Sequence, residues 1–415
     1  MMKITLFIVG FFTLSYLPAS SQNRVDSIAT TYTFIALDSN KIINDSLALL
    51  PFFQKLKLLQ EGKIDKVTIV HIGDSHIQAD NFSGTVRENL QQHFGNAGRG
   101  FVFPYKAART NEPYSYKTTT NTHWDVKRNV FPEKPLPVGI AGITIESSDS
   151  NARITYTTWD KNKLDYSFNK LTLFHEKGNG YFDITVCDDF NCELGTIKSD
   201  SSLSSSFTSE IAFAKPVKNI IISPKKNTET VKCIRVYGMS LENGKKGILY
   251  HSIGVNGAEY RHYSQSEYFF EQLKELKPDL VIVSMGTNEG FAASFNDSIF
   301  YTQIDTFIQH INNKIPTTTL LLTTPGDSFK KIKRARIKNP DMVEAKNTIK
   351  MYATKHNIAY WDLHAVMGGY GSMAQWSLSG LSAKDKLHFS RKGYIMQGEL
   401  FYNALMNSYT KNLRK

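Results

Sequence analysis

Val67-Thr-Ile-Val-His-Ile72-Gly-Asp-Ser-His76 is the stretch on which the fold turns. Val67–Ile72 is a continuous β-branched run, the pattern of a strand buried on both faces of a parallel sheet rather than one with a wet side. Gly73-Asp74 then breaks the run and delivers Ser75 just beyond its C-terminal end. A helical pattern follows from Asn81 to Phe94, and a Gly-rich turn, Gly95 to Phe101, closes the unit. In open α/β sheets ligands sit at the C-terminal ends of the strands, so Ser75 lies where a site is expected.

Further along, the same texture returns only after residue 243. Strands are predicted at Ile248–Ile253, Leu280–Ser284, Thr319–Thr324 and Ile358–Asp362, with helices at Tyr263–Leu276, Asp297–Asn312, Asp341–His356 and Arg391–Tyr409. Strand alternating with helix implies a parallel sheet covered on both faces. Residues 106–243 read differently. Short alternating runs such as Ala152–Thr158, Lys170–His175 and Val231–Tyr237, separated by Gly, Asn, Asp, Ser and Lys clusters, indicate an antiparallel β-sandwich. The expected organisation is one α/β domain, residues 22–105 and 244–415, interrupted by an inserted β-sandwich at 106–243.

Composition agrees. The chain has 415 residues, 41% hydrophobic and 21% charged, which excludes a mainly disordered or collagen-like chain. Lys plus Arg number 49 against 38 Asp plus Glu, a net charge of +11 that favours anionic partners without specifying one. At the N-terminus, Lys3 precedes an apolar run from Ile4 to Leu17, then Pro18 and the small residues Ala19, Ser20 and Ser21. This reads as an export signal over residues 1–21, cleaved after Ser21; the alternative is an uncleaved anchor helix. A periplasmic or secreted protein with no membrane span after cleavage is expected. Of the three cysteines, Cys187, Cys192 and Cys233, two could pair in an oxidising compartment, with connectivity open. They lack the paired spacing of a zinc site.

Four segments carry chemistry. Gly73-Asp-Ser75 offers a nucleophile, although Gly-Asp-Ser alone also reads as a turn or helix cap. Ser252-Ile-Gly-Val-Asn-Gly-Ala258 supplies glycines whose N–H groups can face a ligand, or a plain strand-to-helix turn. Ser284-Met-Gly-Thr-Asn-Glu289 presents Asn288 as a side-chain donor or a turn residue. Asp385-Lys-Leu-His388 can form one carboxylate–imidazole pair, leaving the second ring nitrogen as a base.

In this order and at these strand ends, the four blocks resemble the SGNH (GDSL-like) hydrolase family. The resemblance runs from Gly73 to His388 and implies a flavodoxin-like three-layer fold. It also implies roles: Ser75 as nucleophile, His388 as general base, Asp385 to orient it, and an oxyanion hole from the Ser75 N–H, the Gly257 N–H and the Asn288 side chain. Gly254 rivals Gly257; the family's glycine sits just before the helix, which favours Gly257. No metal or organic cofactor is implied. The first block departs from the common Gly-Asp-Ser-Leu. Gly-Asp-Ser-His-Ile-Gln-Ala-Asp80, together with Gly98-Arg-Gly-Phe101 and the inserted β-sandwich, is similar to exported bacterial peptidoglycan O-acetylesterases with a carbohydrate-binding-like insertion. The substrate so implied is an O-acetyl group on a cell-wall glycan. An acetylated hemicellulose or host glycan, and acetyl transfer to a glycan hydroxyl, stay open as alternatives.

His76 either lines the acyl pocket or has a capping or packing role, and Asp80 and Asn81 read as helix N-terminal residues. Lys330-Lys-Ile-Lys-Arg-Ala-Arg-Ile-Lys338 follows the strand at Thr319–Thr324 and so lies on the active-site side of the sheet. It is either a solvated loop or helix face or an electrostatic guide for an anionic polymer. Nucleic acid is a poor partner, because no binding motif for it is present. Trp124 and Trp159 are either core residues of the sandwich or sugar-stacking surfaces.

Overall fold

Alternate residues of the Lys66–Gly73 strand enter two different cores, and this sets the layering. Val67 and Ile69 pack with Leu280, Ile282 and Leu321 under the helices Leu50–Gln60, Phe82–Phe94 and Arg391–Leu413. Val70 and Ile72 pack with Val281, Val283 and Leu322 under Phe269–Glu275, Asp297–Lys314 and Asp341–Lys355. A strand buried on both faces admits a polar group only where it finds a partner: His71, buried in the run, has its ring nitrogens 2.7 and 2.6 Å from the Tyr250 and Ser284 hydroxyls. The spatial order of the sheet is Ile42–Ile43, Ala359–Trp361, Thr319–Thr323, Leu280–Ser284, Lys66–Gly73 and Gly247–Gly254. Neighbours are parallel except at the Ile42–Ile43 edge. The result is the expected three-layer α/β sandwich.

These positions come from a computed structural model that describes residues 19–133, 136–199, 208–225, 232–333 and 335–413. Residues 1–18, most of the expected export signal, lie outside them; a helix runs from Ala19 to Thr31. Among the described residues no helix is long and apolar enough to cross a membrane.

The β-rich zone forms two antiparallel sheets. One is ordered Glu193–Ile197, Asp183–Cys187, Asn219–Lys225, Ile154–Thr158, Tyr116–Thr120. The other is ordered Thr208–Val217, Phe168–His175, Ile234–Glu242, Ile143–Ser147, Asp125–Arg128. Gly100–Val102 adds to Ile234–Glu242, so the chain joins the sandwich already at Gly100. At that seam the backbones of the two sheets touch. A Cβ on Gly100 would stand 2.1 Å from the Tyr250 carbonyl oxygen, and its φ is +77°, so only glycine fits. The second core continues into the sandwich without interruption.

Three details differ from the sequence reading. The helix expected at Tyr263–Leu276 is two, Tyr260–Ser264 and Phe269–Glu275, because the chain turns at Gln265–Tyr268. Lys330–Lys338, with Arg334 outside the described residues, is a β-hairpin of Phe329–Ile332 and Ala335–Lys338. Asp80 does stand at the start of Phe82–Phe94, its carbonyl accepting from the Gly84 N–H at 3.1 Å, but its carboxylate has the further part of hub of a buried charge cluster. The three cysteines are unpaired.

Asp80 Oδ2 accepts from Arg87 Nη1 and Arg99 Nη2, each at 2.7 Å, and Oδ1 accepts from Ser83 and Ser252, each at 2.7 Å. Burial opposes the charge, but the two guanidiniums and two hydroxyls hold the carboxylate below its usual range. Removing the hub leaves two buried guanidiniums unpaired, which costs about 3–5 kcal/mol. Asp80→Ala is therefore expected to lower stability by that amount in urea unfolding, far more than Ser83→Ala.

Candidate active site

Four loops converge at the C-terminal end of the sheet. The first is the turn after Lys66–Gly73. A Cβ on Gly73 would lie 2.3 Å from Ile77 Cγ1 and 2.7 Å from the Ser284 carbonyl oxygen, so the strand can turn tightly only with glycine there. Asp74 caps the short helix Ser75–Gln78, its Oδ1 accepting from the His76 N–H at 2.9 Å. The cap fixes Ser75 as the first helical residue, with its own N–H beyond the reach of any intrahelical acceptor.

The late loop meets it from above. Ser75 Oγ is 2.9 Å from His388 Nε2, and His388 Nδ1 is 2.7 Å from Asp385 Oδ2. Asp385 Oδ1 accepts from the backbone N–H groups of Leu387 and His388, each at 3.0 Å. Burial opposes its ionisation, yet the His388 ring and these N–H groups hold the carboxyl below its usual range. The carboxylate is thus charged at neutral pH and fixes the imidazole with Nδ1 protonated and Nε2 facing Ser75. Lys386, at φ +58°, makes the turn that folds Asp385 back onto His388.

The backbone N–H groups of Ser75 and Gly257 have no acceptor among the described residues. Both residues line an open cleft of about 540 Å³ with Asn256, Asn288 and His388. Gly257 has φ +83° and no atom within 4 Å of a Cβ position, so conformation rather than space requires glycine. Gly254 serves another purpose. A Cβ there would stand 2.4 Å from the Gln78 backbone N, so this glycine admits the helix that carries Ser75. Asn288 Nδ2 donates to the Ala258 carbonyl at 2.8 Å and more weakly to Asp74 Oδ2 at 3.3 Å. It braces the Gly257 loop and lines the cleft beside Ser75 and His388. The structure thus brings together Ser75, Asp385, His388, Gly257 and Asn288.

Several contributors were not assigned from sequence. Asp74 is fully buried, and burial raises its carboxyl to about 7 against the pull of the His76 N–H and His388. Glu289 is raised by burial to about 8 while accepting from the Tyr260 N–H at 2.9 Å, which pins the helix after Gly257. Gln78 accepts from the Asn256 N–H at 2.8 Å and pins the same loop from the other side. His76 neither lines the cleft nor caps; it lies beneath His388, stacked at 5.1 Å, with Nδ1 2.9 Å from the Tyr394 hydroxyl. Burial lowers its ring to about 3, with His388 lowering it further, so it is neutral. An Asp directly before a short helix was a readable cap signal. Glu289, Gln78 and Tyr394 gave none, because their partners are far away in sequence.

The cleft continues sideways. Asn81, Tyr114 and Arg391 border both it and a second cavity of about 180 Å³. Trp159, Lys161, Asn162 and Lys163 of the sandwich form the far wall. Trp124, by contrast, is core.

Residues 236–395 match the GDSL-like Lipase/Acylhydrolase family. That segment holds Gly257, Asn288, Asp385 and His388; Ser75 precedes it. No curated protein matches the sequence. Among solved structures, one described as "Peptidoglycan O-acetylesterase in action, 5 min" is 22% identical, aligns over 89% of this chain and 99% of its own, and has a TM-score of 0.72. A lipase/acylhydrolase from Enterococcus faecalis is 20% identical over 39% of this chain and 77% of its own, TM-score 0.31. A family two carbohydrate esterase from Cellvibrio japonicus is 10% identical over 71% and 99%, TM-score 0.29.

Two outcomes follow, one for hydrolysis of a small acetyl ester and one for stability. Asp385→Asn is expected to lower kcat about 10⁴-fold, because the amide no longer selects the tautomer that Ser75 needs. Gly257→Ala is expected to cost about 1–3 kcal/mol in stability from the positive φ. Steady-state kinetics and thermal unfolding on the purified variants check both.

Proposed function

We propose that this chain, which carries a GDSL-like lipase/acylhydrolase domain, is an exported serine esterase that removes O-acetyl groups from a cell-wall glycan, and that the glycan is peptidoglycan. The observation that carries the reading is the Ser75–His388–Asp385 chain, at 2.9 and 2.7 Å, opening onto the unpaired N–H groups of Ser75 and Gly257.

The chemistry follows from that geometry. Ser75 Oγ attacks the acetyl carbonyl carbon as its proton passes to His388 Nε2. The imidazolium so formed is stabilised by Asp385 through Nδ1. Charge developing on the carbonyl oxygen is met by the two N–H groups and by the Asn288 amide. Each such donor is worth about 3 kcal/mol of barrier. Collapse of the tetrahedral intermediate breaks the bond to the sugar oxygen, which takes the proton from His388. Water then attacks acetyl-Ser75, giving its proton to His388, and acetate leaves as Ser75 is reprotonated.

A glycan is supported by the shape and lining of the cleft. It is open, and its continuation joins an indole, a phenol ring, a guanidinium and amides, which suit a sugar chain with polar and charged substituents. The likeness of fold to a peptidoglycan O-acetylesterase favours peptidoglycan over other acetylated polymers. Export is supported by the N-terminal sequence, Lys3 to Ser21.

The test is release of acetate from O-acetylated peptidoglycan by the protein and by Ser75→Ala. The expected result is Ser75-dependent acetate, with de-acetylated polymer inert. Acetate from acetylated xylan but not from peptidoglycan would move the substrate to another carbohydrate. Acetyl transfer to a sugar acceptor without net acetate would make the chain a transferase.

A further inference from the structure

The basic hairpin stands directly against the loop that carries the catalytic imidazole. The Phe329 N–H donates to the Lys386 carbonyl at 2.9 Å, and the Arg336 guanidinium donates to the Lys384 carbonyl. Lys386 Nζ lies over the Phe329 ring at 4.9 Å. In the register Phe329 faces Lys338 and Lys331 faces Arg336, so these four share one side of the ribbon. That side is the one joined to the His388 loop. The other side carries Ile332, Ala335 and Ile337, with Lys330 held by Asp341 at 2.7 Å.

Two features make this more than a solvated surface. Like charges placed directly opposite across an antiparallel pair destabilise it, yet Lys331 is set against Arg336. Nor do Lys331, Lys333, Arg336, Lys338, Lys384 or Lys386 have a carboxylate within ion-pair distance among the described residues. Asp385, the acidic residue in their midst, is committed to His388. Positive charge thus accumulates beside the mouth of the cleft at a cost to the hairpin, and an anion seated across it offsets that cost.

We propose that the hairpin and the Lys384–Lys386 loop form a docking surface for a polymer bearing repeated carboxylates, seating an acidic glycan so that its acetylated sugar reaches Ser75. This rests on the glycan reading above, and adds to it where the polymer's charge is read. Because it concerns binding, its failure is separable from failure of the acetyl-release reading.

The experiment is co-sedimentation of the Ser75→Ala protein with insoluble O-acetylated peptidoglycan, with and without Lys331→Gln, Lys333→Gln and Lys384→Gln together. Binding is expected to weaken about tenfold, each exposed contact supplying roughly two- to threefold. It should weaken similarly when the polymer's carboxylates are converted to methylamides, and the salt dependence should flatten. Lys331→Glu, which sets opposite charges face to face, is expected to keep or raise Tm while still weakening binding. In the Ser75 background, KM for polymer should rise with kcat on a small acetyl ester retained. Unchanged binding by the triple variant, or equal binding of the methylamidated polymer, would overturn the proposal. So would an equal fall of kcat on both substrates, which would make the hairpin a brace for the His388 loop.

Discussion

Asp80 holds in one carboxylate the parts that have to stay in register for Ser75 to meet His388. Arg87 comes from the helix after the nucleophile turn, Arg99 from the seam with the sandwich, and Ser252 from the neighbouring strand. All three charged groups are buried, so the cluster tolerates little displacement. Loss of one member leaves an unpaired charge in a low-dielectric interior rather than a weakened contact. Only four residues separate Ser75 from Asp80 along the chain. A shift of the seam or of the Gly247–Gly254 strand is therefore passed directly to the helix bearing Ser75.

Around that anchor the site is built from loops that pin one another. Gln78, Asn288 and Glu289 each take a hydrogen bond to the segment from Asn256 to Tyr260, from three sides. The Gly257 N–H therefore has a fixed direction although Gly257 itself is unrestrained by side-chain packing. His388 is treated likewise, with Asp385 on one ring nitrogen and neutral His76 stacked beneath. A protonated His76 would place a second cation against the His388 imidazolium that the proposed mechanism forms. Burial keeps it neutral and makes the stacking compatible with the chemistry.

The insertion takes part in this design. Arg99 ties it to Asp80, and the main chains of Gly100 and Tyr250 touch. Trp159 and its neighbours wall the extension of the cleft, while the basic hairpin flanks the His388 loop. The Ser75–His388 pair thus lies between the sandwich and the hairpin.

Periodicity and local chemistry were enough to read much of this from sequence. Val67–Ile72 announced a doubly buried strand because burial on two faces favours a near-continuous β-branched run. Gly73-Asp-Ser75 and Asp385-Lys-Leu-His388 announced a turn-borne serine and a paired imidazole, because each is completed within a few residues. What needed the tertiary structure was every role set by partners far apart in the chain. Asp80 looked like a helix-start residue, and only folding brings Arg99 and Ser252 to it. His76 was left between pocket and packing, since the stacking ring lies in a loop that sequence does not place. Lys330–Lys338 showed its charge at once but not its pairing, because cross-strand register decides which cations share a face. Local geometry is encoded by neighbours in sequence; a buried charge or an unpaired N–H acquires its meaning only from what the fold sets around it.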